Sequence, residues 1–146
     1  MKTELYFFNE NLNSDLYSKI LARCLNEKHL TYSPKCPKKL AEKWVFLQDN
    51  ARYHKTAMSM GTIEEMVGNR YIEQPSKSPD LNPMEDMWSY LDRKVKEARC
   101  KTISSLKRTL TKSWRELDWK YVAKSTDSMN RRLQLCIDMG GQRFDY

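Results

Sequence analysis

The sequence predicts an α/β fold, a small sheet flanked by helices with a helical C-terminal region. Three observations predict it. Residues 5–8 (Leu5, Tyr6, Phe7, Phe8) and 44–47 (Trp44, Val45, Phe46, Leu47) are short apolar runs without polar alternation, the pattern of buried strands. Between them and after them, apolar residues recur at helical spacing. Beyond Tyr71 and Ile72, a third and very short strand, only helical patterns follow. The order strand, helix, strand, helix, strand, then helices is that of helices layered on a sheet.

Each element has a local reason. Asn13 or Ser14 caps a first helix, on which Tyr17, Ile20, Leu21, Cys24 and Lys28 step along one stripe, widened by Leu16 and Leu25. Residues 31–43, with Pro34 and Pro37 among lysines, read as a connection. The second strand ends sharply at Gln48, Asp49 and Asn50. A helix is expected from about Thr56, using Met60, Ile63 and Val67 and stopping at Gly68. Residues 74–83 carry three prolines and must form an irregular loop. Asn82 then caps a helix that has Pro83 in its first position and Met84, Met87, Trp88, Leu91 and Val95 as its stripe. Thr102 caps the next helix, with Ile103, Leu106, Leu110, Trp114 and Leu117 on one face. The last helix is expected from about Ser128 to Met139, ended by Gly140 and Gly141.

Composition bounds the function. In 146 residues, 40% are hydrophobic and 31% charged, which is the balance of a globular domain. No apolar run approaches the roughly 20 residues of a membrane span. The apolar stretch near Met1 is interrupted by Glu4 and does not form a signal peptide. Cys24, Cys36, Cys100 and Cys136 form no CxxC pair and have no histidine cluster beside them, so they do not make a zinc pattern and read as reduced thiols. The net charge is +7. Residues 1–89 hold 12 basic and 12 acidic side chains, whereas residues 90–146 hold 14 and 7, so the whole excess lies in the C-terminal part. A basic part of this kind is either a solvated face or a surface for an acidic partner, nucleic acid being the commonest.

Two carboxylates stand out by position. Asp49 ends a strand, where ligand sites of open α/β sheets lie. Glu85 falls in the first turn of the helix after the proline-rich loop, with 35 residues, positions 50 to 84, between the two. A strand end and a helix start can bring two carboxylates to one magnesium ion, which takes hard oxygen ligands and keeps waters for phosphate substrates. A pair of such ions stabilises the attacking and leaving oxygens of an in-line displacement at phosphorus. Local structure offers other uses. Asn82-Pro-Met-Glu85 has the spacing of a capping box. Asp49-Asn50 is also an ordinary turn pair, and His54 an ordinary loop histidine.

The surrounding motifs resemble a known family. Phe46-Leu-Gln-Asp-Asn-Ala-Arg-Tyr-His54 resembles the segment around the second catalytic aspartate of Tc/mariner-type DDE transposases. Ser76-Lys-Ser-Pro-Asp-Leu-Asn-Pro-Met-Glu-Asp-Met-Trp88 resembles the segment bearing their third acid. Weaker likeness runs through Asn11-Leu-Asn-Ser-Asp-Leu-Tyr17, Ser128-Met-Asn-Arg-Arg-Leu133 and the closing Gly140-Gly-Gln-Arg-Phe-Asp-Tyr146. The resemblance implies a partial ribonuclease-H-like (integrase/transposase) fold. It implies residues 1–146 as a DDE transposase catalytic domain short of its N-terminal side, and a metal-dependent strand cleavage and transfer with Mg2+ or Mn2+ as cofactor. Its partner would be DNA, both transposon ends and target, in the nucleus, with a homo-oligomer or a pairing with intact transposase. By position Asp49 is the second metal ligand and Glu85 the third. Asn50 and His54 lie beside the metal, and Asn82 with Pro83 sets the approach of the helix that carries Glu85. Asp80 and Asp86 are not chosen. Asp86 is turned about 100° from Glu85 on the helix, and Asp80 sits in the loop. The family's first aspartate has no counterpart, since Glu4 and Glu10 flank the wrong strand. The chain is therefore expected to act within a longer assembly. The competing expectation is an inactive transposon-derived remnant, or a module that binds DNA or transposase.

Overall fold

A computed structural model describes residues 3–25 and 45–142 of the chain. They form two compact units, residues 1–76 and 77–146, each with its own packing. No helix among the described residues is long and apolar enough to cross a membrane.

The first unit is a βαβ arrangement with a helix packed on it. Helix α1 is Ser14–Leu25. Of the two candidate caps, Asn13 serves: its Oδ1 accepts the Leu16 N–H at 2.9 Å and its carbonyl the Tyr17 N–H. Strand β1 is Phe46–Gln48, helix α2 is Ala57–Val67 and strand β2 is Tyr71–Glu73. The strands pair in parallel, Phe46 with Tyr71, Leu47 with Ile72 and Gln48 with Glu73, which requires a crossover, supplied by α2. Thr56 caps α2 through the Ser59 N–H, as its position before the apolar stripe predicted. Gly68 ends α2 with φ 57° and ψ −133°, a backbone conformation that only glycine adopts without strain. The core of the unit is Leu21 and Leu25 of α1 against Ile63 and Val67 of α2, with Tyr17, Phe46 and Tyr71 packed around it. Burying each of these aliphatic side chains is worth roughly 2 kcal/mol.

Two strand expectations change. Residues 5–8 form no strand, and Tyr6, Phe7 and Phe8 are all exposed. A strand needs a neighbour to take its backbone hydrogen bonds, and the sheet among the described residues consists of β1 and β2 and does not include this run. The run at 44–47 is displaced. Val45 is exposed and the strand extends instead to Gln48, so Gln48 is a buried strand residue and not part of the turn. Lys28, Cys36, Trp44 and the connection over 31–43 lie outside the described residues.

The second unit is helical. A 3-10 turn, Pro79–Leu81, leads into α3, Pro83–Ala98, followed by α4, Ile103–Glu116, α5, Trp119–Asp127, and α6, Met129–Asp138. Helix α3 packs on α4, on α5 and on the 3-10 turn, and α6 packs on that turn and on α5. Met87, Leu91 and Leu117 are buried. The expected stripe on α3 is narrower than its pattern: Met84 and Trp88 are exposed, Trp88 at 51%. Ile103 likewise stands in solvent. Thr102 caps α4 in a reciprocal box with Ser105. The last helix is bounded by Ser128 and Met139, and Gly140 and Gly141 follow it with positive φ. Helix α5 was not anticipated.

Candidate functional site

The described structure gathers Asp49, Asn50 and His54 in the first unit. Asp49 is the residue after β1, at its carboxyl end, with its side chain 59% exposed. One oxygen, Oδ1, accepts the Ala51 N–H at 3.0 Å and lies 2.6 Å from His54 Nδ1. At that separation from a carboxylate oxygen, Nδ1 carries the proton. The same nitrogen is 3.2 Å from the Asp49 carbonyl oxygen. Oδ2 takes no hydrogen bond from the described residues, so one carboxylate oxygen is fixed and the other is presented outward. The ordinary turn use of Asp49 is realised through Oδ1, and Oδ2 has no partner among the described residues. Asn50 is engaged differently: its amide donates to the Gln74 carbonyl at 2.7 Å and ties the end of β1 to the chain leaving β2.

His54 is held from three sides. It closes the 3-10 turn Arg52–His54, and its side chain is only 13% exposed. Its ring centroid lies 4.2 Å from that of Tyr17 on α1, and Tyr53 meets it edge-on at 4.5 Å. The Tyr17 hydroxyl donates to Gln48 Oε1 at 2.5 Å, and the Gln48 amide reaches the His54 carbonyl at 3.4 Å. Burial first, and the Asp49 charge second, push the Tyr17 phenol well above its ordinary value, so it remains a donor. Beneath this, fully buried Ser59 donates to the Tyr53 carbonyl at 2.6 Å. Tyr17 and Gln48 are thus supports of the Asp49 loop that sequence reading assigned to core and turn. The only sequence signal for either was a polar amide placed directly after a buried run.

Glu85 and Asn82 belong to the second unit. Asn82 Oδ1 accepts the Met84 N–H at 3.0 Å, and Pro83 occupies the first helical position. The capping-box alternative for Glu85 does not hold. The Asn82 N–H that such a glutamate would accept is already donated to the Pro79 carbonyl at 3.0 Å. Glu85 sits half-buried in the first turn with no side-chain hydrogen bond among the described residues, near helix N–H groups that favour a negative charge. Its neighbour Asp86 is engaged through one oxygen. Asp86 Oδ2 receives Arg132 Nη2 at 2.6 Å and the Ser125 hydroxyl, and Arg132 Nη1 donates to the Asp80 carbonyl at 3.2 Å. The Tyr121 hydroxyl adds a bond to the Asp86 carbonyl at 3.3 Å. Helices α5 and α6 therefore clamp the first turn of α3, and the pairing of Asp86 leaves Glu85 as the unengaged acid of that turn. Arg132 and Ser125 were not identified from sequence.

The Asp49 and Glu85 carboxylates are hard oxygen donors of the kind that a divalent cation takes. Asp49 lies in the first unit and Glu85 in the second, and among the described residues no three histidine, cysteine, aspartate or glutamate side chains gather around one point.

Comparison with known proteins identifies the family. The profile of the DDE superfamily endonuclease family matches residues 2–107, which include both Asp49 and Glu85. The chain belongs to that family. Within it the chain is of the Tc/mariner type. It is 33% identical over 116 residues to the Tcb1 transposase of Caenorhabditis briggsae, covering 80% of this chain and 42% of that protein. It is 32% identical over 103 residues to the Tc1 transposase of Caenorhabditis elegans, covering 70% and 37%. The chain thus spans about two fifths of the length of these relatives. The Mos1 transposase catalytic domain, solved with raltegravir and either magnesium or manganese, superposes with a TM-score of 0.75 over 94% of this chain and about two thirds of that one, at 22% identity. The fold is therefore ribonuclease-H-like.

Proposed function

We propose that this chain supplies the second and third carboxylates, Asp49 and Glu85, of a transposase active site that cuts and joins DNA strands. The observation that carries the reading is the Asp49 carboxylate: one oxygen is fixed by Ala51 and His54 and the other is left outward at the end of β1. The family membership, the relatives' names as transposases and the magnesium and manganese in the Mos1 structures support it. By the family's pattern Asp49, in the first unit, and Glu85, in the second, would each be a carboxylate ligand to Mg2+ or Mn2+, which when bound activates water and neutralises charge at the phosphate. The chain's own residues do the rest. His54 and the Ala51 N–H set the carboxylate orientation of Asp49. Asn82 and Pro83 start α3 so that Glu85 falls in its first turn. Arg132 and Ser125 bond Asp86 Oδ2, and the Arg132 charge makes Asp86 a poorer ligand than Glu85. The substrate would be transposon ends and target DNA, and the place of action the nucleus.

Mn2+ binding followed by water proton relaxation tests the reading on the 146-residue chain. With two carboxylates the binding should be weak, and Asp49→Asn and Glu85→Gln should each weaken it further by about tenfold, the loss typical of site ligands and their supports. Asp92→Asn, on α3 and already paired with Lys96 at 2.6 Å, should leave it unchanged. Equal Mn2+ binding in all four proteins would remove the proposed site.

A further inference from the structure

We propose that Tyr17 of α1 is a positioning residue for Asp49: its ring holds the His54 imidazole in the orientation that occupies Asp49 Oδ1 and leaves Oδ2 for a cation. The inference deepens the proposed function and rests on it for the meaning of Asp49 as a ligand. Its own observations are the packing around His54. Asp49 is an exposed carboxylate, and the two donors that hold it both act on Oδ1, the Ala51 N–H at 3.0 Å and His54 Nδ1 at 2.6 Å. The first is a backbone group at the start of the 3-10 turn Arg52–His54. The second depends on the rotation of a ring. An imidazole has two broad minima about its Cβ–Cγ bond. Half a turn puts a carbon, Cδ2, where Nδ1 now lies, and Oδ1 then loses that donor.

Aromatic packing prevents the half-turn. The Tyr17 ring lies 4.2 Å from the His54 ring, centroid to centroid, with the planes inclined at 39°. Tyr53 closes the site edge-on at 4.5 Å and 89°, and its own ring is 5.8 Å from that of Tyr17. Both arrangements are the tilted or edge contacts that aromatic rings prefer. Tyr17 is anchored in turn: Leu21 and Leu25, one and two turns further along α1, pack in the core with Ile63 and Val67 of α2. The seat of α1 on α2 therefore fixes where the ring stands against His54. The Tyr17 hydroxyl has a separate task, since it donates to Gln48 Oε1 and does not touch the imidazole. Groups that orient a metal ligand without touching the metal typically change metal affinity by roughly 10- to 100-fold. A tyrosine that only filled the core would change stability and leave Asp49 as it is.

The test uses the full 146-residue chain carrying His29→Gln, so that His54 is its only imidazole. Long-range 1H–15N correlation at pH 8, without metal, reads which ring nitrogen bears hydrogen. It should be Nδ1 in this parent and in Tyr17→Phe, which keeps the ring. Tyr17→Leu removes one wall and Tyr53→Leu the other. In each, the Nε2–H form, which a free imidazole side chain favours in water, should appear. Mn2+ affinity, read by water proton relaxation, should split the same way: within about twofold of the parent in Tyr17→Phe and weaker by on the order of tenfold in both leucine variants. Far-UV circular dichroism checks folding, and Tyr53→Leu, which leaves the Leu21–Ile63 core intact, carries the test if Tyr17→Leu does not fold. Nδ1–H retained in the leucine variants would overturn the proposal. So would unchanged Mn2+ affinity in a leucine variant that has lost Nδ1–H, or a loss of affinity in Tyr17→Phe equal to that in the leucine variants. A parent that binds no Mn2+ removes the proposed function instead, and the nitrogen spectra still decide whether Tyr17 orients His54.

Discussion

Tyr17 joins the first unit's core to its candidate chemistry through one hydroxyl. The ring packs on the α1–α2 core, and the hydroxyl donates to buried Gln48, which in turn reaches the His54 carbonyl. Replacing Tyr17 by phenylalanine keeps the ring and strands the Gln48 acceptor, which should cost about 1–2 kcal/mol in urea denaturation at pH 8. The pH dependence has a definite sign. The folded phenol is raised above its ordinary value of 10.0, by burial first and by Asp49 second. Its contribution is therefore complete below about pH 10 and is lost as the pH rises through the folded value. Wild type should lose stability between pH 9 and 11 more steeply than Tyr17→Phe, so that the two curves converge. Parallel curves would show that the phenol is not coupled to folding. His54 illustrates the opposite case for legibility. It lies five residues from Asp49 and meets it through a local turn, so its association with the carboxylate could be read from the sequence motif, whereas the Tyr17–Gln48 bond, 31 residues apart, could not.

At the scale of elements, the first turn of α3 depends on two helices that follow it by more than thirty residues. Arg132 of α6, its side chain 6% exposed, is the counter-charge of Asp86. Arg132→Met should destabilise the second unit by about 2–3 kcal/mol, somewhat below the figure for a wholly buried pair because Asp86 retains some solvent. Adding Asp86→Asn should recover part of the loss, since it removes the uncompensated charge and keeps an acceptor for Ser125. Urea melts of the three proteins decide this, and a loss below about 0.5 kcal/mol, the scale of an ordinary surface change, would contradict the clamp. The elements that sequence identified are those with local causes: Thr56, Asn82 and Thr102 as caps, and Gly68 as a stop. Those it missed depend on distant partners. Residues 5–8 have strand composition but stay outside the β1–β2 sheet. Helix α5 presents Ser125 and Tyr121, not an aliphatic stripe, to the start of α3, so its inward face does not look like one.

For the whole molecule, the decisive quantity is the number of acids. Asp49 was legible from its place after a strand. Glu85 was legible only through the family's motif, because its spacing from Asn82 fits a capping box equally well. The structure then separates these uses, giving the Asn82 N–H to Pro79 and leaving the glutamate without a bond. Two carboxylates, one per unit, do not make the three that the family's chemistry implies, and no group of three metal-binding side chains occurs among the described residues. Weak cation binding and DNA affinity can therefore coexist with an absence of catalysis, because neither demands the full constellation, whereas an in-line displacement needs its water held by all of it. The 146-residue chain, incubated alone with transposon-end or arbitrary duplex DNA and Mg2+ or Mn2+, should yield no cleavage product on a denaturing gel, at low salt as at high. Cleavage that requires metal and disappears in Asp49→Ala would show that two carboxylates suffice here. Cleavage that persists in Asp49→Ala would instead point to a contaminating nuclease.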